Sequence, residues 1–166
     1  MFSIDVRARL LDNLGSPDVI REHLRRIERA LAGQGLPQAI GSAKELVEST
    51  AKLVLRSRGQ EPGESEISKL VRDAQLSLGV HSFSSRGGAD AEQSTKRILG
   101  GLSAVAIGLG ELRNAGYGTG HGPVETRVGL CSRHAHLAVS AARAWCEFML
   151  DTLQDASAPW HKQDGA

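Results

Sequence analysis

The chain has 166 residues, 40% of them apolar and 23% charged, with a net charge of +1. That length suits one domain with a real core, and the composition is that of an ordinary soluble protein. A balance so near neutral neither requires nor forbids a nucleic acid partner, but it leaves no excess for a broad basic surface, so any contact with phosphate has to be local.

Aromatic residues make up only 4% of the chain, which leaves the core to Leu, Ile, Val and Ala and favours closely packed helices. The amino terminus from Met1 to Leu14 is amphipathic and charged, without a signal-peptide core, and Ile4 to Asn13 reads as a short opening helix stopped by Gly15. Ser16 is a good N-cap and Pro17 a good first helical residue. From there Ile20, Leu24, Ile27 and Leu31 form a stripe of helical period that Gly33 ends. Arg21, Arg25, Arg26 and Arg29 lie on this helix, but Asp18, Glu22 and Glu28 largely neutralise them, which makes a solvated face rather than a platform for RNA.

Pro37 begins the next helix, whose stripe is Ile40, Ala43, Val47, Ala51 and Val54 and whose end lies near Gly59. Lys44, Glu48 and Lys52 make a charged ladder along it at the spacing that brings side chains together on a helix. A linker at Gln60 to Gly63 leads to Ser65, a cap for a helix carrying Ile67, Leu70, Val71, Ala74 and Leu78. After a polar loop from Ser82 to Gly88, a helix from about Ala89 or Asp90 carries Ile98, Leu102, Val105, Leu109 and Leu112. Gly101, Ala104 and Gly108 share a small-residue face on it. Mid-helix glycine costs about 0.8–1.0 kcal/mol relative to alanine, so a close helix neighbour, first of all one inside the monomer, is expected against that face. The last long helix runs from about Leu130 to Leu153, with Leu130, His134, Leu137, Ala141, Trp145, Phe148 and Leu153 facing the core. No alternating β pattern and no internal repeat is visible. The expectation is an all-α bundle of about five to six helices with an up-down antiparallel core, forming a single domain over residues 1–156 with a loose tail at 157–166.

Cys131 and Cys146 fall on the same predicted helix, roughly 22 Å apart by helical rise, and so cannot bond to each other. Nothing has the spacing of a zinc quartet, and no cofactor is expected. The most apolar stretch, Ile98 to Gly110, is too short to span a bilayer and holds four glycines. The expected setting is therefore the cytoplasm, without a membrane partner.

The most informative segment is the turn between the last two long helices, Leu112-Arg113-Asn114-Ala115-Gly116-Tyr117-Gly118-Thr119-Gly120-His121-Gly122. One reading is purely structural. Arg113 ends a helix whose dipole favours a cation there, glycines let the chain reverse, and His121 happens to follow. The other reading is chemical. Cleavage of RNA by its own 2′-hydroxyl needs a proton acceptor, a proton donor and a group that bonds the charge growing on phosphorus. Histidine titrates near neutrality, arginine presents a planar fork to phosphate oxygens, and asparagine can orient either. One imidazole covers only half of the proton transfers, so a symmetric dimer with a shared cleft would complete the set. The segment Gly116 to Gly120 is not a P-loop, since it lacks the preceding strand and the lysine-serine or lysine-threonine ending.

An arginine, a polar residue, a short gap and a histidine resemble the signature of the HEPN superfamily, which implies a small helical bundle, in many members a metal-independent endoribonuclease acting as a dimer. Arg113 and Asn114 match the paired positions and His121 the histidine after a six-residue gap. The chain is still more similar to the abortive-infection C-terminal family. Three segments carry that resemblance: Ala39 to Glu48 with Lys52, Leu112 to Gly122, and Arg133 to Val139. It implies catalytic roles for Arg113, Asn114 and His121, a turn shaped by Gly116, Gly118, Gly120 and Gly122, and supporting roles for Glu48, His134 and Tyr117. Tyr117 precedes His121, unlike the modified tyrosine that follows the histidine in some toxins, so that role is not transferred. On the residues alone, His134 reads either as a core histidine bonded to a carbonyl or as a side chain facing Arg113, while His136 lies on the polar face.

The expected function is a metal-independent endoribonuclease of a phage-defence or toxin system, with a composite site at a homodimer interface and an antitoxin or regulatory partner. The alternative is a non-catalytic module that binds a nucleotide, RNA or a partner protein through the same turn.

Overall fold

The computed structural model describes residues 17–33, 35–82, 92–113 and 131–162. Five α-helices account for most of them: α1 (Pro17–Ala32), α2 (Leu36–Ser57), α3 (Ile67–Ser77), α4 (Gln93–Leu112) and α5 (Ser132–Gln154), followed by a 3-10 turn at Pro159–Lys162. The described residues contain no strand, and the architecture is the helical bundle expected. The predicted opening helix at Ile4 to Asn13 and the polar loop up to Gly88 fall wholly or mostly outside the described residues.

Helix α2 is the axis of the bundle and packs against all four of the others. Its sequence explains why. Ala39, Ile40, Ala43, Val47, Ala51 and Val54 are fully buried, and repeated alanines let neighbouring backbones approach while the branched residues fill the spaces between them. The α1 stripe behaves as its spacing predicts, with Ile20 and Ile27 sealed and Leu24 and Leu31 packed at its edges. In α3, Leu70, Val71, Ala74 and Leu78 reach the core. The helix starts one residue later than its serine implies, since Glu66 rather than Ser65 holds the cap position and its carbonyl accepts from the N–H groups of Lys69 and Leu70. Gly59 and Gly79, at φ +71 and +69, turn the chain out of α2 and α3 in a region that side-chain-bearing residues resist.

The faces of α4 and α5 follow expectation in part: Leu102, Leu109 and Leu112 of α4 and Trp145, Phe148 and Leu153 of α5 meet the core, while other members of the expected stripes do not. In α4 the buried residues are Leu99, Ala106, Leu109 and Gly110, whereas Ile98 is 65% exposed and Val105 36%. Among the described residues the small-residue face has no close neighbour: Gly101 and Ala104 are exposed, and a Cβ built on Gly101 or Gly108 meets none of them within 4 Å. Close packing occurs instead at Gly110, where a Cβ would lie 2.5 Å from Cγ2 of Ile67 on α3. In α5 the core is met by Ala135, Ala138, Val139, Ala142, Trp145, Cys146, Met149, Leu150 and Leu153, while Leu137 stands 69% exposed. The large Leu137 suggests a phase that the smaller alanines, which allow α5 to sit close on α2, override.

Beyond α5 the described residues pack back on the bundle through the 3-10 turn at Pro159–Lys162. Ala158 is buried, Trp160 Nε1 donates to the Thr152 carbonyl at 2.9 Å, and the Arg58 guanidinium lies 4.4 Å above the Trp160 ring, within cation–π range. Arg58 Nε also donates to the Ser77 carbonyl at 3.3 Å, so the ends of α2, α3 and α5 are joined through one side chain and one ring.

Candidate functional site

Arg113 directly follows α4 as its C-cap. It keeps helical angles, φ −63 and ψ −45, and its N–H donates to the carbonyls of Leu109 and Gly110. The residue is half-buried. It stands where the unpaired carbonyls of a helix end gather negative potential, which favours a cation at that position. Asn114, Gly116, Tyr117, Gly118, Gly120, His121 and Gly122 lie outside the described residues, so the turn itself is placed only by what flanks it: the end of α4 before it and the start of α5 after it. Those two helices pack against each other.

At the start of α5, His134 is half-buried rather than sealed. Its Nδ1 accepts the N–H of Cys131 at 3.1 Å, and the Cys131 Sγ lies 3.3 Å from the same atom. An atom that accepts an N–H carries no proton, so Nδ1 is committed to the backbone of its own helix start. The imidazole closes the first turn of its own helix, in the manner of a capping box. His136 is exposed, as its polar face implies.

Glu48 lies on α2, paired with Lys44 one turn away, and both side chains are only about one-fifth exposed, at 21% and 18%. Glu48 belongs to a polar seam between α1 and α2 centred on His23, which the spacing of charged residues does not reveal. His23 is buried at 9% exposure. Its Nε2 meets Ser49 Oγ at 3.0 Å, and its Nδ1 lies 3.5 Å from a Glu45 carboxylate oxygen. Burial pushes the imidazole below its usual range, Glu45 opposes that, and Arg26 adds to it. The order carboxylate, imidazole, hydroxyl is that of a serine hydrolase, but Ser49 sits in the interior of α2, where backbone N–H groups are spent on the helix and none is left for an oxyanion. The seam therefore holds α1 to α2. Its signal in the sequence is that His23 interrupts the Ile20–Ile27 stripe on the inward side of α1.

The arginines of α1 are neutralised as their spacing implies. Glu22 bridges Arg25, Arg26 and Arg29 at 3.2–3.3 Å, Arg21 pairs with Asp18 at 3.2 Å, and Arg26 also reaches Glu45 at 3.6 Å. Both cysteines are free, Cys131 exposed and Cys146 buried. Burial pushes the Cys146 thiol up to about 12, so it stays protonated and packs as a small apolar group. Among the described residues, no group of three His, Cys, Asp or Glu side chains is placed to hold a metal ion, and no helix is long and apolar enough to cross a membrane.

The described residues form a bundle of five α-helices with Arg113 at the end of α4, and the sequence that follows it runs through Asn114 and the glycines to His121. The model of the family Abi_C, a HEPN-like domain, matches residues 18–153, and the chain belongs to that family. No curated protein and no solved structure matches it.

Proposed function

We propose that the protein is a metal-independent endoribonuclease of a phage-defence or toxin system, acting in the cytoplasm as a homodimer. The observation that carries this reading is the join of Arg113, held at the end of α4, to the Asn114 and His121 pattern in a chain of the HEPN-like family. In the proposed reaction the 2′-hydroxyl of a ribose attacks the adjacent phosphorus, a 2′,3′-cyclic phosphate forms, and the 5′-oxygen leaves. His121 of one subunit takes the hydroxyl proton and His121 of the other supplies a proton to the leaving oxygen, roles suited to an imidazole near neutrality. Arg113 bonds the phosphoryl oxygens as charge builds on them, and Asn114 orients the imidazole or a phosphate oxygen.

Two copies are needed because each turn brings one imidazole, and the face of α4 that no other described residue covers supports this. Ile98, Gly101 and Val105 lie along one exposed side of that helix, and its glycines would let a second helix come close. An antitoxin or regulatory partner restraining the activity belongs to the same proposal.

The test is incubation of the purified protein with mixed RNAs in EDTA, beside His121→Ala and Arg113→Ala. Cleavage leaving cyclic-phosphate ends, abolished by His121→Ala and reduced at least about a hundredfold by Arg113→Ala, is the expected result, in line with the contribution of single acid–base and oxyanion groups. Cleavage that survives both substitutions overturns the assignment. RNA bound without being cut would leave a binding module in its place.

A further inference from the structure

Arg113 closes α4 and His134 opens α5, and the contacts between helices bring these two positions to one end of the bundle. Gly110, just before Arg113, is pressed by Ile67 at the first residue of α3. Farther back on α4, Ser103 Oγ lies 2.7 Å from Oε1 of the buried Gln75, near the end of α3. Helix α4 therefore runs against α3 and stops where α3 begins. The opposite end of the bundle is where α2, α3 and α5 finish, joined through Arg58 and Trp160. Helix α5 thus starts at the end where α4 stops, and the two pack on each other. Packed helices lie about 8–10 Å apart, a gap that an arginine and an imidazole can close around one phosphate.

His134 carries the inference, because it fills a seat where another residue is usual. The start of α5 has the form of a capping box, in which the third helical residue turns its side chain back to the N–H of the cap. That residue is ordinarily Glu or Gln, and a carboxylate there also gains from the helix dipole. Here it is a histidine, whose Nδ1 takes the carboxylate's part by accepting the N–H of Cys131 at 3.1 Å. The far side of the ring then differs in kind. With Nδ1 accepting, the ring proton sits on Nε2, so a donor stands where glutamate would place a second acceptor. His134 is half-buried at the head of the stripe Ala138, Trp145 and Thr152, which enters the core. Among the described residues none accepts from its Nε2, and none pairs with the guanidinium of Arg113. Two half-buried donors at one end of a helix pair, one of them a cation, call for an anionic acceptor.

We propose that His134 is a substrate-binding residue of the nuclease, whose Nε2–H donates to a non-bridging phosphate oxygen that the Arg113 guanidinium also holds. The assignment rests on the endoribonuclease reading and adds to it a group that moves no proton. A doubly protonated ring could not accept the Cys131 N–H, so His134 binds as a neutral donor and leaves both proton transfers to His121. Glutamate, the usual residue of such a cap, would set a negative charge against the phosphate, and this accounts for the histidine.

The test compares His134→Glu and His134→Gln, which both keep an acceptor for the cap, with His136→Glu on the exposed side of the same helix as a control for charge alone. Thermal unfolding should change little in all three. Cleavage of a short RNA in EDTA is then followed across the pH range of activity. His134→Glu is expected to lower kcat/KM at least about tenfold, the scale of one hydrogen bond to a charged group. His134→Gln, whose amide can still donate, should lose less, and His136→Glu no more than about twofold, since solvent screens an exposed charge. The shape of the pH profile should be that of the wild type in every variant. Equal losses in His134→Glu and His134→Gln, an equal loss in His136→Glu, or a limb of the profile that vanishes with His134 would each overturn the proposal, the last by showing that the ring transfers a proton.

Binding of an RNA methylated at its 2′-hydroxyls, which cannot be cut, keeps this contact distinct from the nuclease reading. In the wild type the Nε2–H signal of His134 in ¹⁵N-labelled protein should shift as this RNA is added, a readout that depends on no variant, and His134→Glu should weaken binding about tenfold or more. Binding that depends on His134 and Arg113 in a protein that cuts no RNA would remove catalysis and keep the contact. A signal that does not move, or binding indifferent to His134→Glu, would remove the contact whatever cleavage shows.

Discussion

Helices α2 and α4 are of similar length and similar apolar content, yet their fates differ. Ten residues of α2 are buried and only four of α4. The inward stripe of α2 is bounded by Lys44, Glu48, Lys52 and Arg56, so one face alone can enter the core. The stripe of α4 is bounded by glycine and alanine, and nothing in its own sequence says which side should be covered. The lesson is that a hydrophobic period locates a face only where the rest of the helix is polar enough to reject burial. Where it is not, the neighbouring elements decide, as Ile67 does by pressing against Gly110.

The closed core and the open face can be separated by substitution. The largest effect is expected in the core that α2 and α5 share, where Trp145 is fully buried. Trp145→Ala should cost about 3–5 kcal/mol by equilibrium urea unfolding, and a loss below 1 kcal/mol, the scale of a surface change, would contradict a sealed ring. Next comes Gly110→Ala, whose added methyl collides with Ile67. About 1–3 kcal/mol of destabilisation is expected from such overpacking, and Ile67→Ala in the same chain should recover part of it. If the double variant is no more stable than the sum of the single losses predicts, the collision is not the cause.

On the open face the sign reverses. Gly101→Ala should stabilise the isolated monomer by up to about 0.8–1.0 kcal/mol, because alanine is the better helix former and no described residue stands in its way. The same methyl should weaken a dimer formed through that face, so thermal unfolding of dilute protein and sedimentation at higher concentration should move in opposite directions. A tighter dimer in Gly101→Ala would place the subunit contact elsewhere.

The smallest effect is on pH dependence. Burial depresses His23, so the unfolded chain binds the proton more readily than the folded one. Its contribution to stability is complete above the usual value of 6.5 and falls away as pH drops from there toward the folded-state value. His81 shifts in the same direction, through burial and then Arg72. Removing one of the two, by His23→Gln, should flatten the acid side of the stability profile without abolishing its slope, and a slope left unchanged would mean that His23 takes up its proton in the folded state.

Much of the bundle was legible from residue order. Proline and glycine punctuation marked the ends of α1 and α2, and the stripes of α1, α2 and α3 pointed inward as their spacing requires. The phases of α4 and α5 were legible only in part, because Ile98 and Leu137 look like core residues until their neighbours are known, while Leu109 and Trp145 are core residues as expected. The polar interior was the hardest part to read. Neither His23 nor Gln75 belongs to a motif, and each shows itself only by standing on the inward side of a helix, Gln75 one turn after Val71. Of the candidate catalytic set, Arg113 was legible from its place at a helix end, and the fold confirms that place.

Trp145 and Trp160 are the chain's two tryptophans, and they occupy opposite surroundings: one indole sealed among aliphatic side chains, the other half-covered beneath a guanidinium at the carboxyl end. Their emission therefore reports two events with different colours. Release of the terminal clasp would alter the redder, quencher-accessible indole while the bluer one stays dark to iodide, and only melting of the whole bundle would merge them. Fluorescence without any added dye can thus tell fraying of the last turn from collapse of the domain.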